Sequence, residues 1–267
     1  MIVAGEQTWG RQSAPRLRRW GRALLDALFP LRCAACGAWL TAAAEASEDP
    51  LLRVLCPECR AALRLIEGPI CLRCGQPFAS EAVDDHLCGA CLAHPPAYAM
   101  ARSAGIYGPP LKTLIHRLKY RGQLRAAGPL GEILCGVFRR YWRHRPVDLV
   151  LPVPLHWRRL RERGFNQVQS MLRSWPRADP ALSPAPIADG ILVRVRHTAS
   201  QAGLDRQERR RNMDSAFRVK RPEAVRGRAV LIVDDVMTTG ATVTACAEAL
   251  TDSGARRVDV LTLARAL

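Results

Sequence analysis

The sequence lacks any long apolar run. No stretch approaches the roughly 18 consecutive apolar residues that a membrane-crossing helix needs, so no span is predicted. The arginines near the N-terminus are followed only by the short apolar segment 24–29, LLDALF, which is too brief for the core of a signal peptide. From these absences we expect a cytoplasmic protein without a membrane span.

The sequence also has little lysine and few acidic residues. Only Lys112, Lys119 and Lys220 are lysines, and the formal net charge is +16, from 40 basic and 24 acidic residues. A preference for arginine over lysine does not by itself create a net charge. The surplus therefore favours a polyanionic partner, which is either nucleic acid or a phosphorylated small molecule.

Cysteine, by contrast, is abundant. The chain has ten cysteines, and eight of them form four Cys-x-x-Cys pairs before residue 92. In a reducing compartment such pairs indicate a metal site rather than disulfides. Cys135 and Cys246 stand alone inside apolar stretches, and we interpret both as buried structural thiols.

The spacing divides the four pairs into two halves, each with the form of a two-knuckle zinc site. The predicted ligands are Cys33, Cys36, Cys56 and Cys59 in the first half and Cys71, Cys74, Cys88 and Cys91 in the second. Four sulfur ligands leave no position open for water or substrate, so the sequence predicts two structural zinc ions. A cross-braced pairing, first pair with third and second with fourth, would use the same residues.

Composition divides the chain into three predicted regions: a basic N-terminal segment (1–31), a cysteine-rich part (32–100) and an α/β domain (101–267). Leucine and tryptophan recur at helical spacing in the first region. In the third, strands are predicted at 104–107, 148–153, 190–195, 229–235 and 258–264, and helices at 111–118, 130–142, within 160–175 and at 241–254. Strands that alternate with helices predict a parallel sheet covered on both faces.

Residues 230–242, VLIVDDVMTTGAT, have the pattern of a phosphate site. An apolar strand that enters a Thr/Gly turn before a helix brings backbone N–H groups to an anion, at the positive end of the helix. The predicted phosphate ligands are Val236, Met237, Thr238, Thr239, Gly240, Ala241 and Thr242. Asp234 and Asp235 fit the hydroxyls of a ribose 5-phosphate, or Mg²⁺. Adjacent aspartates can also be helix caps, but a cap does not explain the whole motif.

This motif resembles the signature of type I phosphoribosyltransferases, in which the acidic pair binds the ribose hydroxyls of phosphoribosyl pyrophosphate (PRPP) and the turn binds its 5-phosphate. The stretches 151–167 and 194–213, together with the cysteine pairs, narrow the resemblance to the ComF family of competence-associated proteins. The resemblance implies a type I phosphoribosyltransferase-like parallel sheet flanked by helices, with an N-terminal double zinc ribbon. It also implies PRPP as the ligand, bound with Mg²⁺.

The resemblance further implies a pyrophosphate loop near 153–159. The residues predicted to bind phosphate groups there are Val153, Pro154, Leu155, Arg158, Arg159 and Arg163. Arginine forks suit pyrophosphate oxygens, although a solvated helix face is the plainer interpretation. Lys119 is interpreted either as a phosphate contact or as an exposed cation at a helix end.

Residues 194–213 resemble the mobile lid of phosphoribosyltransferases. They include Arg196, which we predict to be catalytic together with Asp234 and Asp235. A lid that excludes water suits an oxocarbenium-like transition state. The competing interpretation is a basic loop that holds single-stranded DNA through phosphate contacts.

The predicted function is that of a PRPP-binding, phosphoribosyltransferase-like protein that acts in DNA uptake or processing during natural transformation. The implied partners are PRPP, single-stranded DNA and other competence proteins. The sequence predicts no acceptor substrate and leaves turnover undecided. Two alternatives are a non-catalytic single-stranded-DNA-binding protein that uses PRPP or a nucleotide as a signal, and a phosphoribosyltransferase of base salvage.

Overall fold

A computed structural model of the chain describes residues 31–41, 47–78, 84–175, 185–196 and 215–267. The basic N-terminal segment up to residue 30 and most of the predicted lid, residues 197–213, lie outside the described residues. Among the described helices, none combines the length and the apolar character that crossing a bilayer requires.

Within 31–41, 47–78 and 84–99, the cysteine-rich part has only short regular elements. Helix α1 (Pro57–Ala61) begins directly after Cys56, and helix α2 (Gly89–Ala93) begins directly after Cys88. Elements this short are not stable by themselves, because one helical turn fixes many dihedral angles for few hydrogen bonds. This part of the chain therefore needs a metal to hold it together.

The remainder is an α/β domain. In chain order its elements are β1 (Met100–Ile106), α3 (Leu111–Arg121), α4 (Ala127–Trp142), β2 (Leu149–Pro152), α5 (Trp157–Arg163), α6 (Gln167–Leu172), β3 (Leu192–Arg194), β4 (Phe217–Val219), β5 (Ala229–Met237), α7 (Ala241–Asp252) and β6 (Arg257–Arg265). Two 3-10 turns lie at Leu124–Ala126 and Pro222–Ala224. The main sheet is parallel in the order β1-β6-β5-β2, which confirms the predicted parallel sheet with flanking helices.

Strand β5 is covered on both faces, so its successive side chains enter different cores. Leu231 and Val233 pack in one core with residues of α4 and α6, whereas Val230 and Ile232 pack in the other with residues of α7. Because side chains alternate along a strand, the two aspartates that follow face in opposite directions. The alternation directs Asp234 toward α7 and Asp235 toward α6.

Two predicted elements differ from the observed ones. Residues 190–195 contain strand β3, but β3 pairs antiparallel with the three-residue β4 instead of joining the main sheet. Residues 160–175 are predicted to begin as a loop and to become helical, but the start of this stretch is already helical. Helix α5 ends at Gly164, which is left-handed with φ of 78°, and α6 follows as a separate helix. Strand β4 has only three residues, which are too few for its alternation to be read from sequence.

Candidate phosphate-binding site and metal centres

The eight predicted metal ligands form two separate four-cysteine clusters. Within each cluster all sulfur atoms lie within 4.8 Å of one another, and the clusters are Cys33, Cys36, Cys56 and Cys59, and Cys71, Cys74, Cys88 and Cys91. The Sγ atoms of Cys36 and Cys56 are 3.7 Å apart, and those of Cys74 and Cys88 are 3.8 Å apart. A tetrahedral ion with Zn–S bonds of about 2.3 Å has sulfurs about 3.8 Å apart, so both clusters fit zinc. The pairing joins consecutive Cys-x-x-Cys pairs and is not cross-braced.

One sulfur in each cluster is favoured as a thiolate. Burial opposes ionisation of Cys33 and of Cys71, but hydrogen bonds to their sulfurs outweigh it and lower the pKa of each thiol to about 6. The donors include the backbone N–H of Ala35, 3.4 Å from Cys33 Sγ, and that of Cys88, 3.3 Å from Cys71 Sγ. Since the thiolate is the form that binds metal, the peptide backbone prepares both clusters for zinc.

A cleft of about 210 Å³ opens at the carboxyl ends of β2 and β5. This edge of a parallel sheet is where α/β proteins bind their ligands. The predicted site residues that line the cleft are Lys119, Val153, Pro154, Leu155, Arg159, Arg163, Asp234, Asp235, Val236, Met237, Thr238, Gly240, Ala241 and Thr242. The fold therefore brings together three segments that are far apart in sequence.

Three predicted site residues do not line the cleft. Arg158 lies on α5 with its guanidinium 5.4 Å from the centre of the Trp157 ring. Thr239 belongs to the turn itself, and its Oγ1 accepts a hydrogen bond from the backbone N–H of Ala241 at 3.4 Å. Arg196 is exposed and ends the described stretch 185–196. The predicted roles of these three residues stay predictions.

Four residues that were not predicted also line the cleft: Tyr120, Gln167, Arg194 and Val243. Gln167 and Arg194 lie in the two stretches that carry the family resemblance, so the signal for them was present in the sequence. Tyr120 follows the predicted Lys119, and Val243 is in the first turn of α7. Neither type of residue is distinctive for phosphate binding.

Residues 238–242 form the phosphate turn between β5 and α7. Gly240 is the residue before α7 and has φ of 81°, a conformation that glycine adopts without steric cost. The 12-residue helix α7 has no acidic residue in its first turn. Its first N–H groups have no partners within the helix, so the turn suits a bound anion.

Asp235 is held by other side chains of the protein. Lys119 donates to its carboxylate at 2.8 Å, and the side-chain amide of Gln167 donates to Oδ2. Arg163 in turn donates to Oε1 of Gln167 at 3.2 Å. The Asp235 residue is only 5% exposed. These contacts link α3, α5 and α6 to the end of β5.

Asp234 faces the other side of β5 and is half-buried. Burial raises the pKa of Asp234 to about 7, and the nearby charge of Asp235 adds to this rise. Lys119 and Arg194 attract the carboxylate and oppose the rise. Asp234 is thus a carboxyl group whose ionisation responds to positive charge brought into the cleft.

Asn166 fixes the loop after β2. Its side-chain oxygen accepts from the backbone N–H of Val168 at 2.9 Å, which caps α6. Its side-chain nitrogen donates to the carbonyl of Val153 at 3.1 Å. Asn166 is buried, so these contacts hold the loop 153–155 firmly against α6.

Strand β3 adds a fourth cation to the cleft. The guanidinium of Arg194 lies 5.5 Å from the centre of the Phe217 ring on β4. Burial lowers the pKa of Arg194, and the charge of Arg159 lowers it further. Among the described residues, Lys119, Arg159, Arg163 and Arg194 line the cleft beside two carboxylates, Asp234 and Asp235. Such a surplus of positive charge attracts a polyanion.

Comparison with known protein families matches the cysteine-rich part and part of the α/β domain to two different families. The family described as "Double zinc ribbon domain" matches residues 24–92, and the family described as "Phosphoribosyl transferase domain" matches residues 173–267. The fold and the site therefore define a phosphoribosyltransferase-like protein with an N-terminal double zinc ribbon. Among solved structures, a hypoxanthine phosphoribosyltransferase from Staphylococcus aureus is 11% identical, with 54% of this chain and 65% of that chain covered and a TM-score of 0.32.

Two relatives identify the family. "DNA utilization protein YhgH" of Escherichia coli K12 is 36% identical over 220 residues, which cover 80% of this chain and 91% of the relative. "Competence protein F" of Haemophilus influenzae is 31% identical over 225 residues, which cover 79% and 96%. The chain belongs to the ComF family, together with these proteins.

Proposed function

We propose that the cleft binds PRPP together with Mg²⁺. The observation that supports this function is the meeting of the phosphate turn, a pair of aspartates and the arginine-bearing loop after β2 around one cleft. The phosphate turn binds the 5-phosphate through backbone N–H groups. Arg159 and Arg163 bind the pyrophosphate, because guanidinium forks match its oxygens.

The two aspartates have different roles in this proposal. Asp234 is half-buried at the cleft and accepts hydrogen bonds from the ribose hydroxyls. Asp235 already accepts from Lys119 and Gln167, so it orients Lys119 toward the anionic ligand. Asp234 would hold Mg²⁺ together with oxygens of PRPP, because carboxylate and phosphate oxygens are the hard ligands that this ion prefers.

Calorimetry with PRPP and Mg²⁺ tests the binding. The wild-type chain binds, and Asp234→Asn lowers the affinity about tenfold or more, because it replaces a charge-assisted acceptor for two hydroxyls. Asp252→Asn is the matched control, since Asp252 is exposed at the far end of the same helix that follows the turn. The proposal is contradicted if titration of PRPP into the wild-type chain gives no binding heat and if ribose 5-phosphate does not compete for the cleft.

Turnover is measured separately from binding. The release of pyrophosphate from PRPP is followed with a panel of acceptors that includes free nucleobases. Release with one acceptor makes the chain a phosphoribosyltransferase and identifies its substrate. Binding of PRPP without release by any acceptor makes it a binding protein for which PRPP is a signal.

A surface that overlaps the rim of the cleft supports binding of single-stranded DNA. Tyr120, which lines the cleft, and Trp157, on the adjoining helix α5, are 67% and 55% exposed. The guanidinium of Arg161 lies 5.3 Å from the centre of the Trp157 ring, and that of Arg163 lies 4.9 Å from the centre of the Tyr120 ring. Exposed rings among arginines suit nucleic acid because bases stack on the rings while the cations contact phosphates. The names of the relatives, which refer to DNA utilization and competence, agree with such a partner.

Fluorescence titration with a labelled oligothymidine, repeated across a salt series, tests this surface. Trp157→Ala weakens binding by about 1–3 kcal/mol, the loss expected for one stacked base. Affinity falls steeply with salt because phosphate contacts release counterions. Trp39→Ala is the control, since Trp39 is 59% exposed and has Arg32 at 3.9 Å, but lies on the first zinc ribbon. A larger loss in Trp39→Ala than in Trp157→Ala would assign the DNA contacts to the ribbons instead.

A further inference from the structure

Arg265 is a buried cation between the second four-cysteine cluster and the end of β5. It lies at the end of β6, is 7% exposed and is paired in register with Met237. Its Nη1 donates to the carbonyl of Cys74 at 2.7 Å and lies 3.3 Å from Sδ of Met237. Its Nη2 lies 3.6 Å from Sγ of Cys74 and 3.4 Å from Oε1 of Gln76. One guanidinium thus contacts a metal ligand on one side and the last residue of β5 on the other.

The side chains of Met237 and Tyr98 lie near Gly240 of the phosphate turn. A side-chain carbon built onto Gly240 would lie 3.0 Å from the Met237 methyl group and 3.8 Å from the Tyr98 hydroxyl, so both side chains reach the turn. Tyr98 is buried in the same apolar core as Cys71, Cys74 and Met237. The backbone N–H of Ala266 donates to the carbonyl of Met237 at 2.9 Å, which holds Met237 against the end of β6. Met237 therefore lies between Arg265 and Gly240.

This contact depends on the position of Cys74, which a bound metal would fix. Four thiolates around Zn²⁺ carry a net negative charge, and Arg265 is a buried cation that contacts one of them, Cys74. Without the metal the four sulfurs are no longer held around one point, so Cys74 and the contacts that Arg265 makes to it lose their fixed geometry. The first cluster has different contacts with the α/β domain, of which one is a hydrogen bond from Arg117 on α3 to the carbonyl of Ala34 at 2.8 Å.

We propose that Arg265 is a positioning residue that couples the second four-cysteine cluster to the phosphate turn. Loss of metal from this cluster, or loss of the guanidinium, loosens residues 238–242 and weakens the binding of a phosphorylated pentose. The part of this inference that concerns binding rests on the function proposed above, whereas the coupling to the turn does not.

Hydrogen exchange of the ligand-free, zinc-loaded protein tests the coupling. Arg265→Lys keeps the positive charge but cannot contact Cys74, Met237 and Gln76 at once. We expect amide exchange in residues 238–242 to accelerate about tenfold, the change that loss of one charge-assisted hydrogen bond gives. Arg102→Lys is the matched control, because Arg102 is similarly buried but donates to carbonyls of Leu72 and Ala101, which belong neither to β5 nor to the turn.

Metal removal is tested with one ligand change in each cluster. Cys88→Ser in the second cluster accelerates exchange of the phosphate turn, whereas Cys36→Ser in the first leaves it at the wild-type rate. Wild-type exchange of residues 238–242 in Arg265→Lys overturns the proposal, as does equal acceleration in Arg265→Lys and Arg102→Lys. If Cys88→Ser does not fold, the two arginine variants decide the outcome.

The affinity of the same samples for ribose 5-phosphate is measured in parallel, and we expect it to fall about tenfold in Arg265→Lys but not in Arg102→Lys. Failure of the wild-type chain to bind this compound contradicts the proposed function, and the exchange comparison still decides the coupling. Normal binding by Arg265→Lys together with unchanged exchange contradicts the coupling and leaves the proposed function intact.

Discussion

At the scale of single residues, the adjacent aspartates differ because strand geometry separates their environments. Asp235 faces α6, forms an ion pair with Lys119 and accepts a hydrogen bond from Gln167, whereas Asp234 faces α7 and remains half-buried at the cleft. Side-chain alternation along β5 is enough to give two identical neighbours different surroundings. Substitutions at the two positions are therefore expected to have different consequences.

Asp235→Asn is expected to destabilise the protein by about 2 kcal/mol or more, because it leaves the partly buried Lys119 without its ion-pair partner. Urea unfolding measures the loss. The double variant with Lys119→Met recovers much of the stability, because no unpaired charge is then left. If the free-energy losses of the two single variants simply add in the double variant, the double-mutant cycle shows no coupling and contradicts the importance of this ion pair.

Asp234→Asn is expected to stabilise the protein, and more so as the pH rises. The pKa of Asp234 is about 7 in the folded protein against an ordinary value of 3.8, so the folded state binds more protons between these values. Wild-type stability is therefore lost as the pH rises toward 7, and the asparagine variant lacks this loss. By pH 8 the gain is on the order of 2 kcal/mol after allowance for partial exposure. Urea unfolding at about pH 5.5 and pH 8 measures it, and an equal gain at both pH values would contradict the assignment.

At the scale of elements, the position of α6 depends on close contact with α4. Gly131 lies on α4 where a side-chain carbon would be 2.1 Å from the carbonyl oxygen of Met171 and 2.2 Å from Oγ of Ser174. The two helices also share apolar residues in one core, among them Leu134 and Leu172. Because α6 begins with Gln167, the spacing of these helices positions a side chain that holds Asp235.

Gly131→Ala is expected to cost on the order of 3 kcal/mol, because the added methyl group overlaps backbone atoms and forces the helices apart. Gly136→Ala in the same helix is the control, since no atom lies within 4 Å of the added carbon and the residue is exposed. This second change stabilises the helix by about 0.5–1 kcal/mol. Thermal unfolding distinguishes the two, and similar stabilities for both variants would show that α6 moves away at no cost.

At the scale of the whole molecule, both zinc ribbons pack directly on the α/β domain. The backbone N–H of Ala101 on β1 donates to the carbonyl of Arg73 in the second ribbon at 2.7 Å. A side-chain carbon on Gly75 would lie 2.5 Å from the carbonyl oxygen of Ala101, so the two backbones are in close contact. Cys33 and Cys56 of the first cluster share a core with residues of α3 and α4. The ribbons are therefore part of the scaffold of the cleft.

Chelation is expected to release about two zinc ions per chain, one from each four-cysteine cluster. A colorimetric chelator assay on the denatured protein gives the total. Cys36→Ser and Cys88→Ser are each expected to retain one ion, because the clusters share no ligand. Loss of both ions from either variant would contradict two independent metal sites.

Much of this protein could be predicted from contiguous stretches of sequence. The ligands of both clusters followed from Cys-x-x-Cys spacing, because such a turn directs two sulfurs at one ion. The turn at 238–242 and its neighbouring aspartates followed from one motif of 13 residues at 230–242. Apolar runs predicted β2, β5 and β6 and the end of β1, since a strand buried on both faces has few polar residues. These features are local, so nearby residues determine them.

Only the tertiary structure decided what joins these features. Gln167 meets Asp235 across 68 residues of sequence, Lys119 meets Asp235 across 116, and Arg265 meets Cys74 across 191. Polar and charged side chains of these types are common on surfaces, and spacing does not predict which partners they find. The strand order and the packing of the helices determine these pairs, because contacts between distant segments depend on the arrangement of all the elements between them. The sequence by itself therefore specified two metal clusters and a phosphate turn, and the fold connected them.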